Sequence, residues 1–227
     1  FFFILIVANC GGLLTPLGDP PLFLGYLRGV PFTWTLGLWP YWLLANGYLL
    51  AVFYVRDRRA YRRERLVDVV RDALETTPVR ISGLANVPLL GGVVACVFLP
   101  SPFRELGMVA LALLSVLWIA RESRERNQFN YDPILEVVIL FAGIFVTMVA
   151  PLQILNARGA GLGVEQPWQY FWVTGVTSSF LDNAPTYVVF FQTAKALTAE
   201  AGLAPVVAGV AEPLLVAIGL GSVFMGA

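Results

Sequence analysis

Long apolar runs alternate along this chain with short polar, glycine-rich or proline-rich breaks. Runs at 32–55, 82–99, 105–120 and 133–155 are long enough and apolar enough to predict membrane-crossing helices. Three further stretches behave differently. Residues 1–8 read as the end of an apolar helix that enters ANCGGLLTPLGDPPLFLGY, where paired glycines, Thr15-Pro16, Gly18-Asp19 and Pro20-Pro21 leave no continuous helix. Apolar residues continue on both sides, so the pattern predicts a discontinuous membrane helix, with Arg28 and Pro31 at its far end. Residues 168–196 are apolar but cut by Ser178, Ser179, Asp182, Asn183 and Pro185. They read as a re-entrant hairpin bent at Asp182–Pro185 in preference to a single span. A last span is expected from near Pro205.

The polar breaks orient these elements. Residues 56–80 hold Arg56, Arg58, Arg59, Arg62, Arg63, Arg65, Arg71 and Arg80, and 121–131 hold Arg121, Arg124 and Arg126. Together they carry eleven of the fifteen basic residues, which places both loops on the cytoplasmic side. Within the first, 66–74 has helical apolar spacing suited to the membrane surface. Trp34, Trp39, Tyr41 and Trp42 at the start of 32–55 fit an interfacial aromatic belt at the opposite face. The broken helix 1–28 and the 168–196 element then sit in halves of opposite orientation, the pattern of inverted repeats. The expected division is 1–55 as the end of a first repeat, 56–81 as an arginine-rich linker, and 82–227 as a second repeat with three spans, the hairpin and a truncated broken helix.

Composition agrees: 58% of residues are hydrophobic and 13% charged, where a soluble domain has about 45–50% and about 25%. Two cysteines in apolar runs indicate no disulfide framework, and the absence of histidine argues against haem and most zinc sites. The chain starts and stops inside apolar runs, so an internal piece of a longer transporter is expected. The fold class is an all-α polytopic membrane protein.

The candidate chemistry lies at the breaks. Asp182 has no basic residue within twelve positions. An unpaired acid at membrane depth costs about 2.5–3.5 kcal/mol, which a bound cation or proton would offset. Ser178, Ser179, Asp182, Asn183 and Thr186 offer oxygen ligands suited to sodium; a solvated, inert hairpin loop is the plainer account. Asn9, the glycines and Thr15 read as an unwound ligand segment, or as a packing kink. Asp19 before Pro20 reads as a helix cap or a proton-path residue, and Glu136 as a first-turn acid or a proton-path residue. Glu212 before Pro213 reads as structural.

ANCGGLLTPLGD resembles the AN-x-GG-x-x-TP-x-GD segment of the ion transporter superfamily, in its NhaD-type sodium/proton antiporter and arsenite-permease branch. SSFLDNAPTY resembles that branch's S-x-x-x-DN-x-P hairpin signature, and the likeness extends to citrate-transporter-like permeases. The resemblance implies two inverted repeats, each with a hairpin and a broken helix. It also implies ligand positions at Asn9, Thr15, Ser179, Asp182, Asn183 and Thr186, with sodium at Asp182 and Asn183. A homodimer in the inner membrane, moving its hairpin-bearing part like an elevator, is implied as well.

The leading expectation is sodium/proton antiport through Asp182. Sodium-coupled citrate or dicarboxylate transport and arsenite transport are the alternatives within the superfamily. Sodium, protons, a small anion and membrane lipids are the expected partners; no cofactor and no nucleic acid are expected. Enzyme chemistry is not expected: an intramembrane hydrolase would have to use Ser178 or Ser179 without any histidine, GxSxG or HExxH. A purely structural membrane subunit would not need the acid.

Overall fold

The computed structural model describes residues 2–64, 84, 86–100, 102–118, 130–158, 161 and 163–226. The surface helix expected at 66–74 and the arginines at 65, 71, 80, 121, 124 and 126 lie outside these residues. The chain divides into two compact units, one of Phe1–Glu64 with Leu140–Ala227 and one of Arg65–Ile139.

In the first unit the N-terminal apolar run does not continue as an α-helix. Ile4–Asn9 is a π-helix and Cys10–Leu14 a tight 3-10 turn; Thr15 is extended at φ −138°, ψ 142°. Glycine explains why the chain can fold this closely. A Cβ on Gly12 would lie 2.5 Å from the Gly18 carbonyl oxygen, so only bare backbone fits where the two strands of the loop meet. Helix α1 (Pro20–Leu27) restarts with proline in its first turn, where the missing N–H costs nothing. A 3-10 stretch, Phe32–Leu38, leads into α2 (Trp39–Tyr61), and the Thr35 hydroxyl donates 3.0 Å to the Leu14 carbonyl, tying this entry to the loop. Phe32–Tyr61 is 30 residues long and apolar enough to cross a membrane. Its helix carries Arg56, Arg58 and Arg59 beyond the expected end at 55, and Arg58 sits over the Tyr54 ring.

The second unit holds α3 (Asn86–Val97) and α4 (Phe103–Trp118), which pack closely. A Cβ on Gly107 would lie 2.7 Å from the Cys96 sulfur, and one on Gly92 3.0 Å from a Leu111 methyl. Small residues let membrane helices approach in this way.

Helix α5 (Asp132–Thr147) and α6 (Val149–Arg158) replace the straight span expected over 133–155. They bend by 46°. Pro151 lacks the N–H that would bond back to the Thr147 carbonyl, and the Thr147 hydroxyl donates 2.8 Å to the Gly143 carbonyl, a back-bond that often accompanies a helix bend.

Helices α7 (Pro167–Phe180) and α8 (Asn183–Ala201) are separated by a break at Leu181–Asp182. The Tyr170 and Phe190 rings meet edge-to-face at 6.4 Å, although twenty residues of straight helix would hold them about 30 Å apart. The chain therefore folds back at the break. Helix α9 (Glu212–Phe224) packs against both, with Tyr170, Tyr187, Phe191, Leu215 and Ile218 in one buried cluster.

The last helix begins later than expected. Residues near Pro205 form a two-stranded ribbon, β1 (Val206–Val207) and β2 (Val210–Ala211), with Val206 opposite Ala211. Its loop places Ala208 at φ 53° and Gly209 at φ 83°, the double left-handed turn that suits a two-residue hairpin. The Thr198 hydroxyl accepts the Ala211 N–H at 2.9 Å, pinning the ribbon to α8.

Close packing predicts one stability effect. A Cβ on Gly25 would collide with the buried Tyr187 hydroxyl. Gly25→Ala should destabilise the protein by about 1–3 kcal/mol in detergent thermal unfolding, and Tyr187→Phe should recover part of that loss.

Candidate functional site: two broken helices that meet the end of α9

Each interruption leaves backbone groups that the helix ladder no longer satisfies. The fold brings two such breaks, the loop 9–19 and the turn between α7 and α8, together with the end of α9. Asn9 Nδ2 donates 2.7 Å to the Gly226 carbonyl. Ser178 Oγ donates 3.2 Å to the Ser222 carbonyl. Ser179 Oγ lies 2.8 Å from the Met225 carbonyl and 2.9 Å from the Gly175 carbonyl. Asn183 Nδ2 donates 3.2 Å to Asp19 Oδ1. A Cβ on Gly226 would lie 3.1 Å from Asn183 Cβ, so the end of α9 lies directly on the turn.

Backbone approach between α7 and α9 makes this contact possible. A Cβ on Gly221 would sit 2.5 Å from the Phe171 carbonyl oxygen, and one on Gly175 would strike Met225. With glycine at both places, the end of α9 reaches the two serines.

The two acids differ in burial. Asp182 is exposed, and its Oδ1 accepts the Ala184 N–H at 3.4 Å as the cap of α8. It occupies the apex of the turn, where the free amides of the new helix give a carboxylate local work. The dry setting expected for Asp182 belongs instead to Asp19, which is 5% exposed. Asp19 stands at the cap position of α1 without capping it. Its Oδ1 faces Asn183, and its Oδ2 has no hydrogen-bond partner among the described residues.

The other candidates are divided. Asn9 and Asn183 are half-buried, and each binds across to another segment. Thr15 is half-buried in the extended link of the loop, where its carbonyl accepts the Gly18 N–H at 3.0 Å. Thr186 is buried, and its hydroxyl donates 3.0 Å to the Asp182 carbonyl. Glu136 is exposed on α5 within the second unit.

Several participants escaped the sequence reading. The Ser222, Met225 and Gly226 carbonyls carry no side-chain signal; Gly221-Ser222 in an apolar helix was the available hint. Thr174 Oγ1 and Asn46 Oδ1 are buried without partners among the described residues. No group of three His, Cys, Asp or Glu side chains gathers among the described residues, so the donor set there consists of carbonyls, hydroxyls, amides and single carboxylates. Such oxygens suit a hard monovalent cation.

A family model described as putative citrate transport matches residues 1–227. The chain belongs to this family. No curated protein and no solved structure matches it. Membership of the citrate-transport family makes the chain a transporter sequence, and its apolar helices are the membrane elements of one.

The two acids should separate experimentally. Asn183→Ala strips the buried Asp19 of its described partner and should cost about 1–3 kcal/mol in thermal unfolding. Asp182→Asn preserves an N-cap and should stay within about 0.5 kcal/mol of the parent.

Proposed function

We propose that this chain forms the binding region of a secondary transporter that carries a carboxylate substrate, of the citrate class, together with a cation. The observation that carries the reading is the convergence of loop 9–19, the α7–α8 turn and the end of α9 around Asp19, whose Oδ2 is buried and unpartnered among the described residues. The groups gathered there are acceptors and amides, and no lysine or arginine takes part in the bonds that join them. A site of that kind favours a cation over a bare polyanion. A polycarboxylate would be drawn to it only after a cation has changed the local charge, which is a physical basis for coupling the two.

In this reading Asn9, Thr15, Ser179, Asn183 and Thr186 surround the cation site, with sodium the hard cation best matched to their oxygens. Asp19 supplies the charge, and Asp182 sets the turn that presents Asn183. Two similar arrangements, a helix entering loop 9–19 and α9 ending beside the α7–α8 turn, support the inverted-repeat reading. A re-entrant placement of α7–α8, a homodimer with elevator-like motion, an inner-membrane location and cytoplasmic loops at 56–80 and 121–131 all belong to this proposal.

A second reading is sodium/proton exchange. It is favoured by the same lone carboxyl, which can hold either ion in turn.

Full-length protein in proteoliposomes distinguishes the two. Citrate uptake that rises with an imposed sodium gradient is expected. Asp19→Asn should weaken apparent sodium affinity by about tenfold or more, while Asp182→Asn changes it little. Sodium-driven pH change without citrate uptake would favour exchange. Unchanged sodium dependence in Asp19→Asn would remove Asp19 from the mechanism.

A further inference from the structure

A cavity of about 620 Å³ lies in the first unit, beside the N-terminal turns of α7 and α9. The entry to α2, the first turn of α7 and the first turns of α9 enclose it. Trp34, Tyr41, Trp168 and Phe171 line its walls, and Val216, Ala217 and Leu220 continue it as an apolar floor. Glu212 is the one charged residue of the lining; no basic residue contributes. The volume falls in the range typical of ligand pockets, mostly apolar with a few polar groups that orient the ligand.

Glu212 has a local role as the first-turn acid of α9, where it complements the helix dipole. Its carboxylate has no hydrogen bond or ion pair among the described residues, so it is available to a ligand. A carboxylate together with tryptophan and tyrosine faces is the chemistry that recognises an organic ammonium group. The apolar floor beyond it has room for a hydrocarbon chain. Trp34 and Tyr41 belong to the aromatic cluster at the entry to the apolar helix Phe32–Tyr61, the level at which lipid headgroups lie.

We propose that this cavity is a binding site for a phospholipid with an ammonium headgroup, of the phosphatidylethanolamine type. Glu212 and the aromatic walls take the ammonium, and Val216, Ala217 and Leu220 take the start of an acyl chain. Charge decides the class of lipid: an anionic headgroup such as phosphatidylglycerol would meet Glu212 with no basic residue in the lining to offset it.

Gly37 provides a way to block the cavity without disturbing the core. It lines the cavity, and a Cβ added there meets nothing within 4 Å. Full-length protein in detergent, titrated with phosphatidylethanolamine, phosphatidylglycerol or choline chloride and read by native mass spectrometry, tests the proposal. Phosphatidylethanolamine should be retained at about tenfold lower concentration than phosphatidylglycerol. Glu212→Gln should erase that preference, and Gly37→Phe should remove the bound lipid with the unfolding temperature unchanged. Equal retention of the two lipids by the parent protein would overturn the proposal, as would full retention in Gly37→Phe. Choline binding dependent on Glu212, without lipid retention, would replace the lipid by a free cation and overturn it equally.

Discussion

Helix interrupted inside an apolar layer is the constraint on which the rest of this structure depends. Every broken turn frees carbonyls and amides that no solvent within a bilayer can satisfy. The chain meets this demand by bringing its breaks to one place, so that each supplies what another lacks. Asn9 donates to the end of α9, Ser178 and Ser179 donate there from α7, and Asn183 donates to Asp19 in the first loop. The polar groups gathered there are therefore, first of all, a structural solution.

Packing enforces the meeting. Because lipid is as apolar as leucine, close van der Waals approach has to supply what the hydrophobic effect supplies in water. Gly12 and Gly221 allow backbone to lie against backbone, Gly25 lies against the buried Tyr187, and Gly175 against the Met225 side chain.

The contrast between the two acids shows how placement outranks identity. Asp182 sits in the more suggestive motif, yet it lies at the apex of a turn with helix amides to cap. Asp19 has an ordinary position before two prolines, yet the folded chain closes over it and leaves one oxygen without a described partner. What surrounds a carboxylate sets its environment, and Asn183 is the contact that joins the two motifs.

Much of the architecture was legible in the residues themselves. Apolar runs with proline and glycine breaks define a helical membrane chain interrupted within 9–19 and bent near Asp182–Pro185, where the break falls at Leu181–Asp182, because solvation cost and backbone sterics act locally. The motifs that carry the family likeness were legible for the same reason. The bend at Met148 and the ribbon at 206–211 were misjudged, since Pro151 and Ala208-Gly209 read as minor breaks within apolar sequence. Only the tertiary structure decided which carboxylate is withdrawn from solvent and which carbonyls face it. Burial and partnership across 164 and 217 residues of separation depend on how distant segments pack, and no local pattern encodes that distance.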